Sequence, residues 1–107
     1  HWLILQCLTF IRARRLPWQV FAYRTDAGAE VDLVIDTGRT LVAIECKLGS
    51  AVAVGQLRGL RSLAEVVRKP MRGYVVFQGE RAQRLDDRIE AVPYADFLRD
   101  TLPALAK

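Results

Sequence analysis

Residues 30–47 contain two apolar segments on either side of the short polar stretch Thr-Gly-Arg-Thr at 37–40. Alternating apolar residues that flank a glycine-containing turn predict an antiparallel β-hairpin, with strands at about 30–36 and 40–47. An isolated two-stranded ribbon is only marginally stable in water, so a chain with this hairpin has to build a larger sheet around it. The hairpin therefore excludes an all-helical fold.

Charged residues interrupt the apolar pattern in both predicted strands: Glu30 and Asp32 in the first, Glu45 and Lys47 in the second. With the turn centred in the middle of the polar stretch, Asp32 lies opposite Glu45 and Glu30 lies opposite Lys47. Since side chains alternate along a strand, all four are expected on one face. The other face is expected to carry the apolar residues Val31, Leu33, Ile35, Val42, Ile44 and Cys46.

Two carboxylates that face each other repel, and burial strengthens the repulsion. The pair is tolerated if one carboxylate is protonated, if a cation lies between them, or if the face is open to water. Mg²⁺ or Mn²⁺ suits two carboxylates, with water and a phosphate oxygen as further ligands. Lys47 is placed to neutralise charge on a reacting phosphate or to orient an attacking water. A plain solvated or salt-bridged strand face remains the alternative.

The rest of the chain predicts helices and further strands around the hairpin. Apolar spacing and the positions of prolines predict helices over residues 2–14, about 54–68 and 94–102. Runs rich in β-branched and aromatic residues predict strands over 18–24 and 73–77, and a short edge strand over 89–93 after a polar loop at 79–88. A strand that follows a crossover helix usually joins its sheet in parallel. The order α, β, β, β, α, β predicts an α/β fold with a mixed sheet flanked by helices.

Composition narrows the class of protein. The 107 residues suit one domain over 1–107, and no apolar run reaches the roughly 18 residues that a membrane span needs. The net charge of +4 is compatible with a nucleic-acid partner. With two cysteines, Cys7 and Cys46, and one histidine, a zinc site of the Cys/His type cannot be assembled. Both cysteines are expected to be buried free thiols of a protein in the reducing cytoplasm.

An acid in the second strand and Ile-Glu-Cys-Lys at 44–47 in the third resemble the motif of the PD-(D/E)xK nuclease superfamily. The resemblance implies a restriction-endonuclease-like αβββαβ core in which Asp32 and Glu45 hold Mg²⁺ and Lys47 is the catalytic lysine. The chain departs from the motif at Val31, which stands where the superfamily often has proline.

A second resemblance extends over nearly the whole chain. Five blocks are similar to the uncharacterised C-terminal domain of bacterial and archaeal AAA-type ATPases: YRTDAGAEVDLVI (23–35), AIECKLG (43–49), QLRGLRSLAE (56–65), GYVVFQGE (73–80) and DDRIEAVPYADFL (86–98). The resemblance implies an ATPase domain as a partner. Because the chain has no GxxxxGK[ST] motif, no ATP site is expected in it, and it is expected to be a C-terminal fragment of a longer ATPase.

Relatives in this family usually carry an acid on the first helix, whereas residues 1–15 contain neither Asp nor Glu. Glu30 and Gln56 are secondary candidates that could complete the site. Arg58 and Arg61, at helical spacing, are candidate nucleic-acid contacts. The competing hypothesis is a catalytically silent binding or oligomerisation module that keeps the nuclease fold, with an apolar first helix that could mediate a homodimer.

Overall fold

A computed structural model of the protein describes residues 1–50, 52 and 57–107. Its elements are, in chain order, α1 (Trp2–Ala13), β1 (Gln19–Arg24), β2 (Glu30–Asp36), β3 (Leu41–Cys46), α2 (Arg58–Val66), β4 (Met71–Phe77), β5 (Gln83–Arg84) and β6 (Ile89–Pro93). A helical segment, α3 (residues 94–105), follows; its middle part, Phe97–Thr101, is π-helical and joins two short α-helical pieces. The predicted α/β class is confirmed, and the predicted elements occur in the predicted order, with β5 as an additional strand that was not predicted.

The strands form one six-stranded mixed sheet in the order β1-β2-β3-β4-β6-β5. The pairs β1–β2, β2–β3 and β5–β6 are antiparallel, whereas β3–β4 and β4–β6 are parallel. The prediction that β4 joins in parallel after the crossover helix is confirmed. The prediction of an edge strand over 89–93 is wrong, because Gln83–Arg84, within the expected polar loop, pairs with β6 and covers its outer side.

Each face of the sheet carries its own apolar core. On one face, α1 contributes Leu3, Cys7 and Ile11, and α3 contributes Phe97 and Leu102. On the other face, α2 packs through Leu60 and Leu63. In α1 and α2 the core residues are three to four positions apart, which places them along one side of each helix. Packing of this side on the sheet stabilises both helices, which would be marginal in isolation.

The register of the β2–β3 hairpin agrees with the prediction: Leu33 pairs with Ile44, and Asp36 with Leu41. The predicted alternation along β2 is wrong at one point. Val31 packs on the α2 face with Val34, not on the α1 face with Leu33.

A β-bulge explains this difference. Between the pairs Phe21–Val34 and Tyr23–Val31, β2 advances three residues while β1 advances two. The extra residue of β2 breaks the alternation and re-aims the side chains around Asp32.

Helix α2 touches the sheet most closely at Gly59. A Cβ at this position would lie 2.6 Å from the carbonyl carbon of Glu30 and closer still to its oxygen. Only glycine lets the helix approach the β2 backbone this closely. The contact determines where the first turn of α2, including Arg58, lies relative to the hairpin.

Within the described residues, no helix combines the length and the apolar character that crossing a bilayer requires.

Candidate functional site

Asp32 lies at the point where the β2–β3 ladder stops. The last paired residues are Leu33 and Ile44, and beyond them the backbone N–H of Cys46 donates to Oδ2 of Asp32 at 2.9 Å. The Asp32 carboxylate thus takes the place of a backbone carbonyl as acceptor. This hydrogen bond fixes a half-buried carboxylate at the end of the hairpin, beside β3.

Glu45 is buried, with 8% of its surface exposed, and it is the one charged residue buried in the part of the chain that the structure describes. The Asp32 carboxylate is within hydrogen-bonding reach of the Glu45 carboxylate. Burial, which is the largest cause, and then the hydrogen bond and the charge of Asp32 together raise the pKa of Glu45 to about 8. The charge of Lys47 and a hydrogen bond from the Asp32 backbone oppose the shift. Two acids therefore share one poorly hydrated location.

Lys47 directly follows β3, and its backbone is held from two sides. Its N–H donates to the carbonyl oxygen of Val76 in β4 at 2.9 Å. Its carbonyl oxygen accepts a hydrogen bond from the Tyr94 hydroxyl, at the start of α3, at 3.3 Å. Sequence reasoning missed Tyr94, because no local pattern indicates that residues 47 positions apart meet.

A pocket of about 260 Å³ brings several of the candidate residues together. Glu45, Lys47, Glu30 and Arg58 line it, with Gly28, Ala29 and Gly59 completing the wall. Arg58 is anchored there, because its guanidinium donates to the carbonyl oxygen of Ala27. The sequence suggested Arg58 only as part of a basic helix, whereas the packing of α2 on β2 brings it to the same pocket as Glu45.

The remaining candidates are placed differently. Glu30 is exposed, and the charged groups that act on Glu45 are Asp32 and Lys47. Arg61 is not in this pocket; its Nε pairs with Oδ2 of Asp86 at 3.4 Å, over another groove. Gln56 lies outside the described residues.

Both cysteines are free. Cys7 is buried, whereas Cys46 is only half-buried, so the prediction of two buried thiols is right for the first alone. Burial raises the pKa of each thiol to about 12, and the charge of Asp32 adds to the shift of Cys46. Neither cysteine has the thiolate character of a nucleophile or a metal ligand at neutral pH.

The donor set is compatible with a hard divalent cation. Among the described residues, no group of three or more His, Cys, Asp or Glu side chains could hold a metal ion. A site here would therefore rest on two carboxylates, Asp32 and Glu45. Mg²⁺ is commonly bound by one or two carboxylates while water and substrate phosphate supply the other ligands, so the pair fits that ion.

Comparison with known proteins gives one result. No functionally curated protein matches the chain. A family model, the domain of unknown function DUF4143, matches residues 2–97, which include both core helices α1 and α2 and the strands β1–β6. The chain therefore belongs to the DUF4143 family.

Proposed function

We propose that this domain hydrolyses phosphodiester bonds of nucleic acid with the help of Mg²⁺ or Mn²⁺. The observation that carries the proposal is the meeting of Asp32 and Glu45 at the end of the hairpin, with Glu45 and Lys47 lining one pocket. A fold gains nothing in stability from placing two acids together in a poorly hydrated location. A proton on Glu45 relieves the repulsion when no metal is bound, and a divalent cation that replaces this proton would neutralise both acids.

The residues have distinct roles in this proposal. Asp32 and Glu45 hold the metal ion, which supplies Lewis-acid polarisation of the phosphate and an activated water when bound. Lys47 carries a positive charge toward the phosphate that lies in the pocket, and Tyr94 and Val76 keep its backbone in place. Arg58, anchored at Ala27, adds a second cation at the rim.

The element order supports the same proposal. A helix, three antiparallel strands, a crossover helix and a parallel fourth strand are the order expected of a restriction-endonuclease-like core. We extend the proposal to the parent protein: the domain acts next to an AAA-type ATPase domain, which is its first candidate partner.

Isothermal titration of Mg²⁺ and Mn²⁺ tests the metal site. We expect saturable binding to the wild type and its loss in Asp32→Asn and Glu45→Gln. Glu65→Gln is the matched control, because Glu65 is an exposed acid on α2 and its loss changes the net charge equally. If metal binds, a nuclease assay on labelled single- and double-stranded DNA and RNA follows, with Lys47→Met expected to abolish cleavage while metal binding persists. Wild type that binds neither metal, with or without an oligonucleotide, would contradict the proposal.

A second candidate function, a catalytically silent oligomerisation module, is favoured by one separate observation. Large apolar side chains are exposed on α1 and just after β3: Trp2 at 56%, Leu5 at 60% and Leu48 at 73%. Trp2 and Leu48 also line an apolar groove of about 430 Å³ with Phe77 and Tyr94. Burial of such a patch against a second copy would stabilise a homodimer.

Sedimentation velocity over a range of protein concentrations tests this alternative. A homodimer through α1 should dissociate in Leu5→Ser. Val66→Ser is the matched control, because Val66 is 63% exposed but lies on α2. A wild type that stays monomeric at every concentration rules this alternative out.

A further inference from the structure

A second polar pocket lies at the opposite end of β3 from Lys47. It has a volume of about 270 Å³, and the polar side chains that line it are those of Thr37, Arg39, Thr40, Arg72 and Lys107. The β2–β3 turn, the start of β4 and the end of the chain as described meet here. Along β3, Leu41 next to this pocket and Glu45 of the carboxylate pair are separated by roughly 13 Å of strand.

The turn that forms one wall is held by several hydrogen bonds. Thr37 and Thr40 exchange bonds between backbone and side chain, with Thr37 N–H donating to the Thr40 carbonyl oxygen at 3.1 Å. Gly38 has a φ of +93° and donates its N–H to Asp36 Oδ1 at 2.8 Å. The turn is therefore a defined backbone structure, and the position of Arg39 on it is determined.

Strand pairing places Arg72 at the same location. Val42 pairs with Arg72 across the parallel β3–β4 ladder, and the N–H of Leu41 donates to the carbonyl oxygen of Pro70 at 2.9 Å. The strand pairing and this hydrogen bond together hold the first residues of β4 beside the turn. Arg39 and Arg72, far apart in sequence, consequently share one pocket with Lys107.

The charges of this pocket are unbalanced. Three cations line it, and none of the described residues that line it is acidic. Arg39, Arg72 and Lys107 form no ion pair with another described residue. The nearby acid Asp36 is already paired with Lys69, whose Nζ lies 2.8 and 2.9 Å from its two carboxylate oxygens. Because all three side chains are exposed, water screens their mutual repulsion, but together they form a positive cavity that attracts an anion.

The other arginines of the chain that we considered for nucleic-acid contact differ in this respect. Arg58 donates to the Ala27 carbonyl, and Arg61 pairs with Asp86. The groove on the other side of Arg72 contains Arg84 and Arg88 but also Asp87 and Glu90. Compared with these sites, the pocket at the β2–β3 turn combines several cations with an acid-free wall.

From this geometry we infer that the pocket between the β2–β3 turn and the start of β4 binds a phosphate group through Arg39, Arg72 and Lys107. Guanidinium groups bind phosphate with paired, charge-assisted hydrogen bonds. The Thr40 hydroxyl at the rim is a further compatible donor, whereas the Thr37 hydroxyl already donates to the Thr40 carbonyl oxygen. The phosphate could belong to a free phosphate compound or to a nucleic-acid backbone. The inference does not depend on the proposed metal site, because it involves other residues at the other end of the strand.

Binding measurements in EDTA test this inference without any contribution from a metal ion. Pyrophosphate is titrated by calorimetry, and a short DNA duplex by fluorescence anisotropy at several salt concentrations. The variants are Arg39→Gln and Arg72→Gln, with Arg72→Lys as the charge-preserving variant. Arg81→Gln is the matched control, since it removes the same charge from an exposed arginine of the loop between β4 and β5 that lines neither pocket. Thermal unfolding of each variant shows whether it is folded.

We expect the two Arg→Gln variants in the pocket to bind roughly tenfold more weakly than the wild type, with Arg72→Lys in between and Arg81→Gln near the wild type. Pyrophosphate binding by the wild type that is weakened in the pocket variants identifies a free phosphate compound as the ligand. Binding of the duplex alone, with a salt dependence reduced by about one charge in each pocket variant, identifies a nucleic-acid backbone. Absence of saturable binding by both probes, or an equal loss in Arg81→Gln, overturns the inference.

Discussion

Replacing Glu45 by glutamine should make the domain more stable than the wild type at alkaline pH, and this gain should disappear in acid. Burial and the neighbouring Asp32 raise the pKa of Glu45 from 4.5 to about 8. The folded protein therefore holds a proton on Glu45 at pH values at which the unfolded chain has released it. A group of this kind contributes stability that is fully present below pH 4.5 and is lost as the pH rises to about 8.

The magnitude follows from the size of the shift. One pKa unit corresponds to about 1.4 kcal/mol, but Glu45 titrates together with Asp32 and water reaches it from the pocket, so the full shift is not converted into stability. The free energy of unfolding of the wild type should fall by about 2–3 kcal/mol across this window, against the roughly 5–15 kcal/mol that stabilises a typical domain. Glutamine has nearly the same shape and does not titrate. The difference in unfolding free energy between Glu45→Gln and the wild type should therefore move by a similar amount in favour of the variant.

Urea unfolding of both proteins in EDTA, at pH values between 5 and 9, measures this difference. Groups that do not interact with Glu45 cancel in the comparison, so the measured change reports Glu45 together with its neighbour Asp32. Glu65→Gln makes the same substitution at an exposed acid, and a change of the same size there would show that the effect is not specific to the buried pair. Addition of Mg²⁺ at alkaline pH should then restore stability to the wild type but not to Glu45→Gln, because a ligand of the folded state stabilises it by mass action. A difference between wild type and Glu45→Gln that stays constant with pH would refute the account of Glu45 as an acid buried beside Asp32.

Three further measurements test the surroundings of the site. Gly59→Ala should destabilise the domain by about 1–3 kcal/mol in urea unfolding, because the added Cβ collides with the β2 backbone. Helix propensity alone predicts the opposite sign, since alanine is preferred to glycine inside a helix. A neutral or stabilising result would therefore show that α2 does not lie against β2. Tyr94→Phe should lower the free energy of unfolding by about 0.5–1.5 kcal/mol, because the hydrogen bond to the Lys47 carbonyl oxygen is lost. If the domain is a nuclease, the variant should lose more cleavage rate than metal affinity, since the hydroxyl holds the backbone of Lys47 and not a carboxylate. Unchanged stability and cleavage would argue against this role. At neutral pH, Cys7 and Cys46 should react with a thiol reagent much more slowly in the native protein than in urea. The reason is that burial raises the pKa of both thiols to about 12, so little reactive thiolate is present in the folded state. Rapid labelling of both thiols in the native protein would contradict this account.

Local patterns were sufficient for much of the fold. The hairpin register was predicted correctly because the glycine-containing turn and the apolar alternation agree on one pairing, and Leu33 does pair with Ile44. The helices α1 and α2 and the parallel placement of β4 were also predicted from periodicity and element order. Each of these depends on residues that are close in sequence, or on the geometry of a crossover connection.

Other features could not be predicted, because they depend on contacts between distant segments. The bulge in β2 exists relative to its partner β1, and it moved Val31 to the opposite face from the one that alternation predicts. The β6 strand became internal because a two-residue strand, too short to have a pattern, pairs with its outer side. Arg58 and Arg61 look equivalent on a helix, yet one reaches the pocket of Glu45 and the other pairs with Asp86.

The sequence by itself determined that Asp32 and Glu45 would be neighbours, since a two-strand hairpin with a defined turn has only one register that satisfies its apolar residues. It also determined the class of the fold and the absence of a Cys/His zinc site. Only the tertiary structure decided that Glu45 is buried, that Tyr94 holds Lys47, and that Arg39 and Arg72 share an acid-free pocket. Burial and the meeting of distant side chains are properties of how helices and strands pack, and the periodicity of a single segment contains no information about its partners.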